Sequence, residues 1–211
     1  MKVHVHTVQI HVTSHCNMAC PECCCAIHLI KKKDKYFITE DYLNHSAKLF
    51  NGIKTISLMG GEPTMHPKFS EWSPKLKELF NCEVLQVETN GTMFKKIPEA
   101  FKHYDKIIVT RYHKDMFEGC RDNLSDIEFL QNYYPNKEIL VSNIEHLSRQ
   151  TKGTKPCYRV NSGGIAYADS KLYPCCVGPG LDEKVFIVPT DNWRNEIKTI
   201  EAPCEGCFFA V

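Results

Sequence analysis

Five cysteines crowd into the ten positions from Cys16 to Cys25, in the stretch SHCNMACPECCCAIH, and they follow directly on the β-branched run VHVHTVQIHVTSH. A chain that gathers so many thiols behind one strand either cross-links them or holds a metal with them. No stretch approaches the roughly 18 consecutive apolar residues of a membrane span, and MKVHVHTVQIHV lacks the apolar block of a signal peptide. The chain is therefore expected in the cytoplasm, where disulfides are disfavoured and thiolates stay available for metals. Twelve cysteines in 211 residues then read as metal ligands first.

The spacing of the trio Cys16, Cys20 and Cys23 is C-x3-C-x2-C. Structural zinc draws two ligands from each of two knuckles, whereas this compact trio suits a 4Fe-4S cluster, gripping three irons and leaving the fourth open. Cys24 and Cys25 adjoin a ligand too closely to be independent ligands and read as packing or substitute thiols.

A chain of this length, 43% hydrophobic and 24% charged, suffices for one main core and a small appended unit. Lys and Arg total 26 against 25 Asp and Glu, so no basic excess points to nucleic acid and no acidic excess to disorder. The run KKKDK at 31–35 reads as a solvated loop.

After the cysteines a helix is predicted, with Thr39 as N-cap, Glu40 and Asp41 in its first turn, and Leu43, Ala47 and Phe50 on one face. TISLMGGEP at 55–63 is a buried strand broken by glycines and a proline. Further strand-like runs lie at 82–91, 106–113 and 138–143, with helical patterns near 74–81, 98–104 and 123–133. Strand alternating with helix implies parallel βα units whose ligands collect at the carboxyl ends of the strands.

CNMACPEC after the first strand, GGEP after the second and TNG after the third together resemble the radical S-adenosylmethionine enzyme superfamily, over roughly residues 5–145. One departure is Glu22, where the family often has an aromatic residue before the third cysteine, so an adenine contact from this loop does not carry over. The resemblance implies an α/β fold, a partial (β/α)6-type TIM barrel. It implies a 4Fe-4S cluster on Cys16, Cys20 and Cys23, whose open iron takes the amino and carboxylate groups of S-adenosylmethionine. The activity implied is reductive cleavage of that cofactor to a 5'-deoxyadenosyl radical, which abstracts a substrate hydrogen. An electron donor such as flavodoxin or ferredoxin is implied as partner. Toward the cofactor, Gly60 and Gly61 are expected to allow close backbone approach, Glu62 to accept from the ammonium and Pro63 to set the turn. Glu88, Thr89 and Asn90 are expected near the ribose hydroxyls, Arg111 at the methionine carboxylate, and Ser142 and Asn143 in the matching place one strand on. His4, His6 and His11 read as packed strand histidines.

A boundary is expected near SRQTKGTKP at 148–156, giving domains of 1–150 and 151–211. Beyond it CYRVNSGGIAYADSKLYPCC reads as a Gly-turned hairpin beginning and ending on cysteine. Cys157, Cys175, Cys204 and Cys207 would complete a closed site, with Cys176 the alternative to Cys175. This layout is similar to the auxiliary-cluster regions called twitch or SPASM domains, implying a second 4Fe-4S cluster; a structural zinc ribbon is the other reading.

Three functions remain open on the sequence. The first is oxidation or epimerisation of a small polar metabolite. The second is modification of a ribosomally made peptide, with any leader-binding domain supplied by a separate partner because the first strand begins at about residue 3. The third is a metal-binding module without catalysis, against which GGEP and TNG count. Cys120, in the loop after VTRYH, is the candidate hydrogen donor for epimerisation, or else an inert thiol.

Overall fold

Alternation in the first strand, β1 (Thr7–Thr13), places Val8, Ile10 and Val12 on one side, where each is at most 2% exposed, and Gln9 and His11 on the other. The computed structural model describes residues 5–21, 23, 25, 27, 30–143, 164–168, 170–173, 188–190 and 192–196. Among these, β2 (Thr55–Gly60), β3 (Val84–Thr89), β4 (Lys106–Arg111), β5 (Glu138–Asn143), β6 (Gly164–Ala168) and β7 (Lys171–Tyr173) join β1 in one open sheet of order β5-β4-β3-β2-β1-β6-β7. Every neighbouring pair is parallel except β6 with β7. The fold is the expected partial barrel, mixed α/β with a sheet that does not close.

The buried side of the sheet is a continuous aliphatic layer, with Ile56 and Leu58 of β2, Leu85 and Val87 of β3, Ile107 and Val109 of β4 and Ile165 of β6 beside the β1 residues. Helices cover it. In α1 (Glu40–Leu49) the Thr39 hydroxyl accepts from the Tyr42 N–H at 3.2 Å, and Leu43, Ala47 and the following Phe50 are buried as the spacing predicts. Short helices α2 (Phe69–Trp72) and α3 (Leu76–Phe80) lie between β2 and β3, and α3 stops on Asn81 at a left-handed φ of 49°. The helical pattern near 98–104 is a 3-10 turn, Pro98–His103, that buries Ala100 and Phe101. Helix α4 (Leu124–Tyr133) contributes Ile127 and Leu130. Trp193 of α5 (Trp193–Glu196) rests edge-on against Phe50, with ring centroids 5.2 Å apart, and its indole N–H donates to the Leu49 carbonyl at 3.2 Å. Each large side chain so buried contributes roughly 1.5–3 kcal/mol.

β6 and β7 form the expected hairpin, but the residue at left-handed φ between them is Ser170 (φ +58°), while Gly164 opens β6. β6 also pairs with β1, Thr7 opposite Gly164 through Ile10 opposite Tyr167, so one sheet spans both sides of residue 150. Cys157, Cys175, Cys176, Cys204 and Cys207 lie outside the described residues.

Candidate active site at the carboxyl ends of the strands

β1 ends at Thr13, and the chain then leaves the sheet through Cys16, Cys20 and Cys23. Residues 36–38 bring it back against the strand end: Ser14 N–H donates to the Tyr36 carbonyl at 3.1 Å, Tyr36 N–H to the Ser14 hydroxyl at 2.8 Å, and Ile38 N–H to the Val12 carbonyl at 3.0 Å. The cysteine loop is thus closed at its base by a short antiparallel clasp.

The GG pair is fixed by a different contact. A Cβ on Gly60, whose φ is +135°, would lie 2.2 Å from the Thr13 carbonyl oxygen, and one on Gly61 would lie 2.0 Å from that of His15. Gly61 N–H donates to Thr13 and Glu62 N–H to His15, both at 2.7 Å. A close backbone approach at these glycines is thus made within the chain by the cysteine loop. Pro63 opens the 3-10 turn Pro63–Met65 as expected.

Glu62 is 1% exposed. Its Oε1 accepts from Thr64 N–H (3.1 Å), the Thr64 hydroxyl (2.5 Å) and the Thr89 hydroxyl (2.6 Å), while Oε2 accepts from Asn90 N–H at 2.7 Å. Burial pushes its pKa up in spite of these donors. The carboxylate brackets β2 to β3, and an incoming ammonium would find acceptor capacity on Oε2.

Asn90 reaches back to the cysteine loop: its Nδ2 donates to Asn17 Oδ1 at 2.8 Å and faces Cys16 Sγ at 3.9 Å, and its Oδ1 accepts from Thr92 N–H and hydroxyl at 3.0 and 2.7 Å. Asn17 in turn donates to the Thr92 hydroxyl at 2.8 Å. Asn123, fully buried before α4, ties in the next strand; its Nδ2 donates to the carbonyls of Asn90 and Thr110, both at 2.7 Å, and its Oδ1 accepts from Tyr112 N–H (2.9 Å) and Arg111 (3.1 Å). Arg111 also pairs with Asp122 at 3.1 Å and meets His113 Nδ1 at 3.3 Å. Sequence reasoning missed Asn17, Thr92, Tyr112 and Asn123; Asn123, just ahead of α4, carries a start-of-helix signal that could have singled it out.

Burial pushes the Cys16 thiol up to about 12, with Glu62 and the other two cysteines adding to it, and the Cys20 thiol up to about 11, with Cys23 and Cys120 adding. Cys20 Sγ donates to the Tyr112 hydroxyl at 3.5 Å. As bare side chains these thiols are neutral, and they become thiolates against a cationic centre. A mononuclear site needs its donors about 2 Å from one ion, and among the described residues no three His, Cys, Asp or Glu side chains could hold one. A cluster instead spreads three sulfurs over three irons. Three cysteine sulfurs from one loop are an all-sulfur donor set of the kind that group takes.

The inner face of the sheet is polar where the covered face is aliphatic. Glu88 Oε1 accepts from Gln9 (3.0 Å), Ser57 (2.9 Å) and Gln86 (3.4 Å), one donor from each of β1, β2 and β3. Beside them, opposite Met59, stands His11, 0% exposed and with neither ring nitrogen hydrogen-bonded; burial lowers its pKa to about 4. Thus Glu88 points into the inner face, whereas its neighbour Thr89 points at Glu62. Ser142 and Asn143 are exposed at the end of β5, an edge of the described sheet. Cys120 is half-buried in the loop between β4 and α4, and its thiol is pushed up by burial and by Asp122. Among the described residues no helix is long and apolar enough to cross a membrane.

The model of the Radical SAM superfamily matches residues 10–140. The chain is 25% identical over 202 residues to the GTP 3',8-cyclase of Alkaliphilus oremlandii, covering 93% of this chain and 56% of that protein. It is 32% identical over 96 residues to molybdenum cofactor biosynthesis protein 1 of Drosophila melanogaster, covering 44% of this chain and 17% of that one. This chain thus spans little more than half of these relatives' length at most. Among solved structures it is similar to BtrN in complex with AdoMet and 2-DOIA, with a TM-score of 0.61 at 18% identity over 83% of this chain and 75% of that one, a likeness of fold.

Proposed function

Because this chain belongs to the radical SAM superfamily, we propose that it abstracts a hydrogen atom from a small polar metabolite seated on the inner face of the sheet, with oxidation or epimerisation as the outcome. The observation that carries the substrate class is the convergence of Gln9, Ser57 and Gln86 on Glu88 beside the unpartnered His11. Side chains arranged this way meet hydroxyl or amino groups with hydrogen bonds and would themselves be left unpaired by an apolar ligand of the same size.

In this reading Cys16, Cys20 and Cys23 hold a 4Fe-4S cluster, which with bound S-adenosylmethionine supplies hydrogen-atom abstraction. Asn90 and Asn17 hold the loop in position, and Glu62 Oε2, Arg111, Ser142 and Asn143 are the proposed contacts to the methionine end of the cofactor. Cys157, Cys175 or Cys176, Cys204 and Cys207 are proposed to hold an auxiliary 4Fe-4S cluster, and Cys120 is dispensable for a first oxidative turnover.

A second reading has support of its own, since the likeness to a GTP 3',8-cyclase extends over 93% of the chain; it makes the substrate a nucleotide. One experiment separates these readings. Reconstituted protein is incubated anaerobically with dithionite, S-adenosylmethionine and, in separate arms, amino sugars and cyclitols, GTP, and peptides, in deuterated buffer. Formation of 5'-deoxyadenosine tests the family chemistry. A product lighter by two hydrogens supports oxidation, one deuterium gained at carbon and lost in Cys120→Ala supports epimerisation, and conversion in the GTP arm alone replaces the metabolite reading.

A further inference from the structure

We propose that the basic loop of residues 31–35 is the docking surface for an acidic, low-potential one-electron carrier protein. The inference rests on the radical SAM reading, in which the centre held by Cys16, Cys20 and Cys23 must be supplied with an electron, and goes beyond it by assigning where the electron donor binds.

Placement is the first support. The clasp of Tyr36 and Ile38 on Ser14 and Val12 sets Lys35 beside the residue paired with Ser14, two positions ahead of Cys16. The lysines before it are presented by a 3-10 turn, Lys32–Asp34, closed by Asp34 N–H to the Lys31 carbonyl at 2.9 Å. Charge is the second. Lys68, Lys75, Lys77, Lys95, Lys102 and Lys106 each lie 2.6–3.7 Å from a carboxylate. Among the described residues Lys48, Lys54, Lys96 and Lys114 are also exposed without an ion pair but lie apart from one another in the chain, whereas Lys31, Lys32 and Lys33 are exposed and Lys35 half-buried within five positions, and none of these four forms an ion pair there. Four cations within five positions, offset only by Asp34, repel one another and are relieved by an acidic partner, which they would also steer into encounter.

The third support is an aromatic rim. Phe37, 40% exposed, stacks on His15, with ring centroids 4.3 Å apart and planes 9° from parallel, and His15 immediately precedes Cys16. A partner seated on the lysines would cover Phe37 and stand against the cysteine loop, the arrangement an interface takes when an aromatic anchor sits inside a charged rim. In the transfer one electron leaves the carrier and one enters the iron–sulfur centre; no bond forms or breaks.

The test uses reconstituted holoenzyme with Lys31→Glu, Lys32→Glu and Lys33→Glu combined, beside a control carrying the same charge change at Lys48, Lys54 and Lys96. Two readouts are taken: binding of oxidised flavodoxin by its flavin fluorescence, and 5'-deoxyadenosine formation driven by reduced flavodoxin or by dithionite. The loop variant is expected to bind flavodoxin about tenfold more weakly at low salt and to lose flavodoxin-driven turnover in proportion. Its iron content and dithionite-driven turnover should match wild type, and raising the salt should shrink the difference. Unchanged flavodoxin binding, equal weakening in the control, or equal loss with both reductants overturns the docking surface. Absence of dithionite-driven turnover in the wild type overturns the radical SAM reading instead.

Discussion

Two regions of this molecule hold a carboxylate at the end of a strand, and they treat it in opposite ways. At the junction of β2 and β3, Glu62 is 1% exposed and takes four donors from the chain itself. On the inner face, Glu88 takes its three donors on one oxygen, and nearby His11 is buried without a partner. The first region is bound up with its own two strands, three donors on Oε1 and one on Oε2, and braces the cysteine loop while leaving acceptor capacity only on Oε2. The second retains hydrogen-bonding capacity that folding does not use, and buried groups of that kind are costly unless a ligand completes them. Changes in the first region are therefore expected to cost stability and metal, and changes in the second to cost activity at little or no cost in stability.

The largest effect is expected at Gly61. An alanine methyl 2.0 Å from the His15 carbonyl cannot be accommodated without displacing the cysteine loop. Gly61→Ala should lower stability by about 3 kcal/mol and prevent full iron loading, read by thermal unfolding and iron analysis. Full loading in that variant would show that the loop is not held by this contact.

His11 gives a pH-dependent effect of similar size. Its folded pKa of about 4 lies below the ordinary 6.5, so the unfolded chain binds the proton first, and the stability present above 6.5 is lost as pH falls toward 4. At about 1.4 kcal/mol per unit the loss approaches ~3 kcal/mol, and it should vanish in His11→Leu when unfolding is followed across this range. The same variant should be no less stable than wild type at pH 8 while its substrate turnover falls. A variant that is destabilised at pH 8 and fully active would place His11 in the scaffold.

Next in size is Asn123→Ala, which removes the donor Asn123 gives the carbonyls of Asn90 and Thr110 and the acceptor it gives the N–H of Tyr112. A cost of about 2 kcal/mol is expected, with KM for S-adenosylmethionine raised more than the rate is lowered, since Arg111 also loses an acceptor.

These residues also mark what the sequence made legible. The strands could be read because β-branched runs bounded by Gly, Pro and Asn have few alternatives, and the trio, GGEP and TNG because each is a local pattern. The glycine spacing signals a close approach but does not say which backbone also comes near, and Thr13 and His15 do so within the chain itself. Asn123 and the polar inner face were illegible for a related reason. Gln9 and Glu88 are 79 positions apart, and only the parallel register that sets Gln9 opposite Ser57, and Ser57 opposite Gln86, brings them together. The strand pattern predicts a packed histidine at His11, and it is packed, but it lacks the hydrogen bonds that usually accompany packing.

The smallest stability effect, and the sharpest test of the contrast, is expected at Glu88. In Glu88→Gln the amide oxygen can take the place of Oε1 and keep all three donors, while the amide nitrogen replaces Oε2, which has no hydrogen-bond partner among the described residues. Stability should therefore change by no more than about 0.5 kcal/mol, and iron content and substrate-free cleavage of S-adenosylmethionine should be unchanged. The variant loses the negative charge on the inner face, so if that charge receives an amino or hydroxyl group, substrate KM should rise at least about tenfold. The matching change at Glu62 puts an amide nitrogen against either the Asn90 N–H or the Thr64 and Thr89 donors, and should do the reverse, lowering stability and iron retention together. If Glu88→Gln instead unfolds the protein as readily as Glu62→Gln, both carboxylates are scaffold, and the substrate must be sought away from the inner face.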